Sequence, residues 1–132
     1  MTRRQLIWAR ILFAVYIIAA AFLCFGKFEN AQKVPMDLWG IPTDKVVHFL
    51  MFFPFPLLSC LAFDGYRGKP GKAVLKTAIA FLAGCAFAAF TEWVQSHLPY
   101  RSADPFDFRA DVLALLSSSV IVLILVLAKK RK

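Results

Sequence analysis

Four long apolar runs constrain the fold of this chain more than any other feature. They cover about residues 6–25, 46–63, 73–94 and 112–128. Within each run the apolar residues are bunched, and they neither alternate nor mark only one face of a helix, which is typical of membrane-spanning segments. A spanning helix needs about 20 largely apolar residues, whereas a spanning β-strand needs only about 10. The runs therefore predict an all-α membrane protein with four transmembrane helices, which form a single domain over residues 1–132.

The composition agrees with a membrane protein. The chain is 60% hydrophobic and only 18% charged, whereas a soluble domain has about 25% charged residues. The first run has a second interpretation as a signal peptide, because Arg3 and Arg4 precede it. Its length, and the absence of a small-residue cleavage site after it, favour an uncleaved helix.

The distribution of basic residues predicts the orientation in the membrane. The N-terminal end, the loop between the second and third runs with the adjoining Lys76, and the C-terminal KKRK carry 11 of the 16 Lys and Arg residues. Because basic residues concentrate on the cytoplasmic side, we expect an antiparallel bundle with both termini in the cytoplasm. The basic residues behind the net charge of +8 would then fix the orientation of the helices and contact anionic lipid headgroups. We therefore expect no nucleic-acid partner.

Residues inside the runs predict how the helices pack. Pro54 and Pro56 each remove a backbone donor, so we expect a kink in the second helix that frees carbonyls near Leu50 and Phe52. Ala80, Gly84 and Ala88 repeat at four-residue spacing in the third helix, and such small residues let neighbouring helices approach closely.

The three cysteines point to no redox or metal chemistry. Cys24, Cys60 and Cys85 all lie within runs, and their number is odd. We therefore expect small core residues and predict neither a disulfide nor a thiolate metal site.

Polar residues converge on the ends of three helices that the topology puts on the outer side. Asp44 and His48 are four residues apart and share a helix face, as do Glu92 and Gln95 at a spacing of three. Ionisable groups at membrane depth are costly, usually face the bundle interior and mark function by default. The predicted ligand-binding set is Asp44, Lys45, His48, Glu92, Gln95, Arg101, Asp104, Asp107 and Asp111.

The acidic residues before the fourth helix also have a structural interpretation. Asp104 precedes Pro105, which is a strong helix start, and Asp107 would then favour the positive end of the helix dipole. Asp104, Asp107 and Asp111 share one face if the helix begins near Asp104. Two interpretations of these residues therefore remain: a charge network that only holds the helices together, and a binding site.

Three stretches, DKVVHF, TEWVQ and RSADPFDFRAD, resemble the VanZ-like family of bacterial membrane proteins. The resemblance covers about residues 44–114. The family usually has Asn where this chain has Asp111 and Gly where it has Ala114. The resemblance implies a multi-pass protein of the bacterial cytoplasmic (inner) membrane with a role in the cell envelope, because the family is named for a protein linked to teicoplanin resistance.

Several mechanisms are open at this stage. The first is binding of an envelope lipid, a lipid-linked cell-wall precursor or a glycopeptide, with Arg101 on an anionic group. The second is a membrane enzyme in which His48 is general acid or base and Glu92 or Asp107 orients it or activates water. A proton- or cation-coupled carrier that uses Glu92 and His48 is weaker, because transporters usually place such groups at mid-membrane and contain internal repeats. No nucleophile motif or complete metal-ligand signature supports the enzyme, and we expect no cofactor and no dedicated metal site. The surplus of acidic residues in the predicted set suits internal ion pairs, an amine-bearing ligand or a divalent cation bridging to phosphate. The sequence predicts no oligomeric state.

Overall fold

The computed structural model describes the backbone of residues 2–25, 37–38, 41–99 and 105–131 and the side chains of residues 2–25, 45–99 and 105–130. The described elements are α1 (Arg3–Phe25), β1 (Asp37–Leu38), β2 (Ile41–Pro42), α2 (Thr43–Phe52), α3 (Pro54–Ala62), a 3₁₀ turn (Asp64–Tyr66), α4 (Pro70–Ser96) and α5 (Pro105–Arg131). The two short strands pair antiparallel, with Asp37 opposite Pro42. The described part of the chain is otherwise built from helices, as the apolar runs predicted.

Four helical segments are long and apolar enough to cross a membrane. They are Arg3–Phe25, Lys45–Ala62, Pro70–Ser96 and Pro105–Lys130. Large apolar side chains face outward on all of them, and Ile18 is 70% exposed. A soluble protein rarely leaves so much contiguous apolar surface in water, so this exterior fits a multi-pass membrane protein.

The helices extend beyond the apolar runs because their ends are capped by polar groups and prolines. At the start of α1, Thr2 and Gln5 form a reciprocal capping box: the Thr2 hydroxyl accepts from Gln5 N at 3.1 Å, and the Gln5 side chain accepts from Thr2 N at 2.9 Å. Pro70 and Pro105 are the first residues of α4 and α5, where a missing N–H costs nothing. The fourth run was predicted to begin at about residue 112, but its helix begins at Pro105.

The second run is interrupted where its prolines fall. Helix α2 ends at Phe52 and α3 begins at Pro54, which confirms the predicted break. The hydroxyl of Tyr16 in α1 donates a hydrogen bond to the carbonyl of Met51, between the two carbonyls expected to be free. The break therefore supplies an acceptor that ties α1 to the second membrane segment.

Helix α4 packs closely against its neighbours at Gly84. A β-carbon built there would lie 2.6 Å from Leu115 Cδ2 and 3.1 Å from Phe55 Cδ1. Ala80 and Ala88 of the same stripe are buried. The stripe predicted from the sequence therefore allows α3 and α5 to pack against α4.

The loop between α3 and α4 is fixed by a buried tyrosine. Tyr66 adopts a left-handed backbone conformation with φ of 56°, and its ring is only 2% exposed. Burial raises the pKa of its hydroxyl, which lies 3.4 Å from the hydroxyl of Ser59. At the same end of the molecule, Lys130 at the close of α5 donates to the carbonyl of Gly68.

Candidate functional site

His48 lies at the centre of a group of polar side chains between α2 and α5. It is 8% exposed. Its Nδ1 atom lies 2.9 Å from Oδ1 of Asp111, and its Nε2 atom lies 3.6 Å from Oδ2 of Asp107. The two aspartates are four residues apart on α5, so they share one helix face. One imidazole thus bridges two carboxylates.

Lys45 completes the contact between α2 and α5. Its ammonium group lies 2.7 Å from Oδ1 of Asp107. The two side chains are largely buried, with 17% of Lys45 and 7% of Asp107 exposed. Asp107 is therefore held between a permanent cation and the ring of His48, and its interaction with the N-terminal turn of α5 favours the same position.

Asp111 lies deepest in the group. It is fully buried. Its Oδ1 atom contacts His48, whereas its Oδ2 atom makes no hydrogen bond with any residue that the structure describes. A buried carboxylate oxygen normally requires a donor or a cation. Among the described residues, this oxygen of Asp111 is therefore left without a donor.

Helix α4 contributes Glu92 and Gln95. Glu92 is half-buried, and one potential ligand atom from each of His48, Glu92 and Asp111 lies within 4.8 Å of the other two. Gln95 is buried, and its Nε2 atom donates to the carbonyl of Cys24 at 2.8 Å. Glu92 thus faces the histidine, while Gln95 connects α4 to the last turn of α1. We call Lys45, His48, Glu92, Gln95, Asp107 and Asp111 the polar cluster.

The described members of the polar cluster carry more negative than positive charge. Among them, Lys45 is the one permanent cation, beside the three carboxylates of Glu92, Asp107 and Asp111. Taking several carboxylates out of water is costly unless cations or protons accompany them. The cluster is therefore better suited to a ligand that brings positive charge than to a bare anion.

Three members of the predicted ligand-binding set lie wholly or partly outside the described residues. Asp44 belongs to the first turn of α2, but its side chain is not among those described. Arg101 and Asp104 fall in the gap between residues 99 and 105. The predicted roles of these three residues stay predictions.

Two other polar residues near the cluster lie on the surface. His97 is exposed, and its Nδ1 atom lies 2.8 Å from the carbonyl of Trp93. Arg109 is also exposed, with its guanidinium 5.0 Å from the centre of the Phe106 ring. Neither side chain is buried with His48.

Sequence reasoning missed the contribution of α1. Tyr16 and the carbonyl of Cys24 connect this helix to the second segment and to α4. A tyrosine inside an apolar run signals a hydroxyl that needs a partner. The Cys24 carbonyl carries no signal, because any helix leaves carbonyls unsatisfied in its last turn.

The cysteines are free thiols. Cys24 and Cys60 are buried, and Cys85 is half-buried. All three lie within membrane segments. This placement agrees with the expectation of small core residues.

Comparison with known proteins gives one similar protein. The chain is 34% identical over 119 residues to an uncharacterized protein of the fission yeast Schizosaccharomyces pombe. The match covers 90% of this chain and 65% of the relative, so the chain spans less than two thirds of the relative's length. No family model matches the chain, and no solved structure matches it.

Proposed function

We propose that this protein binds the polar headgroup of a membrane lipid in the polar cluster. One observation carries this function: Asp111 is fully buried among charged groups, yet its Oδ2 atom accepts no hydrogen bond from the described residues. A network that served only to join helices would be expected to satisfy its deepest carboxylate. Lipids surround every membrane segment, and their headgroups reach the ends of the helices.

We further propose an antiparallel bundle with both termini in the cytoplasm. Gln95 joins the C-terminal ends of α4 and α1, and Lys45 and Asp107 join the N-terminal ends of α2 and α5. Ligand atoms of Glu92 near the end of α4 and of His48 and Asp111 near the starts of α2 and α5 lie within 4.8 Å of one another, which supports antiparallel neighbours. The predominance of basic residues on the side of the termini supports the orientation. The polar cluster would then face the outer leaflet.

The resemblance to the VanZ-like family supports a role in the envelope of a bacterium, at its cytoplasmic membrane. It also keeps a lipid-linked cell-wall precursor or a glycopeptide among the candidate ligands. The similar protein from fission yeast favours a ligand that fungi and bacteria share, and glycerophospholipids meet this condition. We therefore propose a glycerophospholipid headgroup that carries an ammonium group ahead of the other two, because the carboxylates of the cluster favour positive charge.

A membrane enzyme is the second candidate, favoured by the geometry of His48. A carboxylate on one ring nitrogen orients an imidazole as a general acid or base, and Asp111 lies 2.9 Å from Nδ1. The opposite nitrogen would then exchange protons with a substrate, with Asp107 nearby. Conversion of an added lipid by wild-type protein, lost in His48→Gln, would favour this function over binding alone.

Native mass spectrometry of the detergent-extracted protein tests the proposal. Wild-type protein is expected to retain a phospholipid, and Asp111→Asn is expected to lose most of it, because the amide removes a negative charge from the deepest position. His97→Gln is the matched control, since this exposed histidine lies outside the cluster. Equal lipid retention by the folded wild type, Asp111→Asn and His97→Gln would contradict the proposal. A retained peptidoglycan precursor would identify the alternative ligand.

A further inference from the structure

We propose that His48, Glu92 and Asp111 form a binding site for a divalent transition-metal ion. The three residues come from α2, α4 and α5, and one ligand atom of each lies within 4.8 Å of the other two. An imidazole with two carboxylates is a mixed nitrogen and oxygen set, which suits Zn²⁺ or Mn²⁺. Mg²⁺ and Ca²⁺ fit less well, because they prefer oxygen ligands alone.

The unused oxygen of Asp111 points independently to a bound cation. Oδ2 of Asp111 is buried and accepts no hydrogen bond from the described residues, and the whole side chain is inaccessible to solvent. A metal ion is a compact way to satisfy such an atom, because a carboxylate binds a metal without needing a donor hydrogen. The same residue already contacts His48, a second member of the proposed set.

The spacing of the three residues fits a small ion after modest side-chain movement. Ligand atoms at about 2.1 Å from a tetrahedral metal are about 3.4 Å from one another. The observed separations of up to 4.8 Å would need to close by on the order of 1 Å, which side-chain torsions supply without moving a helix.

The surroundings of His48 match those of a metal-bound histidine. A ligating histidine almost always offers its other ring nitrogen to a carboxylate or carbonyl. Here each ring nitrogen has a carboxylate in reach: Asp111 Oδ1 lies 2.9 Å from Nδ1, and Asp107 Oδ2 lies 3.6 Å from Nε2. Asp107 is the better partner outside the metal, because Lys45 already holds it in place.

A divalent ion also adds positive charge beside the three carboxylates and one lysine of the described cluster. Three protein ligands leave at least one coordination position open, as in metal sites that bind a substrate. A phosphate oxygen of a lipid headgroup would fill that position. This last step rests on the proposed lipid-binding function; the metal site itself does not.

Metal binding by the full-length protein in detergent tests the site. After treatment with a chelator and removal of lipid, Zn²⁺ and Mn²⁺ are titrated separately by calorimetry, and bound metal is counted by elemental mass spectrometry. We expect about one ion per chain in wild type. Glu92→Gln and Asp111→Asn should each weaken binding by at least about 10-fold, and Asp107→Asn by about 10-fold.

His97→Gln serves as the control, because it removes an exposed imidazole and leaves the cluster unchanged. Circular dichroism establishes which variants are folded. Glu92 is only half-buried, so Glu92→Gln should disturb folding less than Asp111→Asn. The site is refuted if wild type binds neither ion, or if folded Glu92→Gln and Asp111→Asn bind as tightly as wild type.

Phospholipid retention, measured with and without the metal, separates the two proposals. Metal binding that depends on Glu92 and Asp111, with no lipid retained in either condition, supports the metal site and contradicts lipid binding. Lipid retention that requires Asp111, with neither ion bound, overturns the metal site and leaves lipid binding standing. Lipid retention that appears only with Zn²⁺ or Mn²⁺ supports both.

Discussion

At the scale of single residues, Asp111 is the most deeply buried ionisable group of the polar cluster. Its carboxylate holds His48 from one oxygen and leaves the other unsatisfied among the described residues. Breaking a buried pair of this kind strands the remaining partner, which costs more than losing a surface contact. Asp107 differs, because Lys45 and His48 both reach it. The two aspartates therefore have different tolerances to substitution.

A double-mutant cycle measures the contact between His48 and Asp111. We expect the single variants His48→Ala and Asp111→Ala, and the double variant, to give a coupling free energy of unfolding of about 1–3 kcal/mol, because the pair is buried and in direct contact. The control cycle uses Asp64 and Arg67, whose contact at 3.3 Å leaves 68% of the Arg67 side chain and 30% of the Asp64 side chain exposed and should give below about 1 kcal/mol. Chemical unfolding in detergent gives the values, and equal coupling in the two cycles would contradict the assigned burial.

At the scale of helices, the fold depends on how closely α4 approaches α3 and α5. Gly84 permits this approach, since its missing β-carbon would overlap Leu115, which is fully buried. That contact fixes the rotation of α4 against α5 and hence the direction in which Glu92, two turns further along, faces. Packing around one glycine thus positions a member of the polar cluster.

Gly84→Ala tests this packing. We expect a loss of about 1–3 kcal/mol in the free energy of unfolding, because the added methyl group overfills the core. Gly71→Ala is the control, since a β-carbon there meets no atom within 4 Å, and it should cost little. If Gly84→Ala is as stable as Gly71→Ala, the close approach of α4 and α5 is wrong.

At the scale of the whole molecule, the sequence predicts the helices well and the site only in part. Inside lipid, the backbone N–H and C=O groups of each apolar run must form hydrogen bonds with one another, and a helix of this length does so. Four membrane-spanning helical segments therefore follow directly from the four runs. The pairing of α2 with α5 was also predictable in outline, because His48 and Asp107 lie near helix ends that the topology brings together. The hydrogen bond from Gln95 to the Cys24 carbonyl could not be predicted, because every residue has a backbone carbonyl and the sequence does not indicate which one accepts. The unused Asp111 oxygen was equally hidden, since it depends on packing in three dimensions.

The proposed orientation is a prediction for the entire chain. Reporter fusions at the N-terminus and after Lys132 should both report a cytoplasmic location, because the basic residues concentrate on that side. Arg67→Glu alone should not reverse the topology, since the remaining basic residues keep the bias. Termini on opposite sides of the membrane would contradict an even number of crossings.

The polar cluster is proposed to bind a ligand and to be more than an internal network. The most direct measurement is the thermal unfolding midpoint of delipidated protein as a short-chain phospholipid is added, with Zn²⁺ present and absent. A ligand that binds only the folded state stabilises it by about 2.7 kcal/mol at a free concentration of about 100 Kd. We predict a rise in midpoint with lipid for wild type and His97→Gln and no rise for folded Asp111→Asn. An unchanged midpoint in wild type, or the same rise in all three proteins, would contradict the claim.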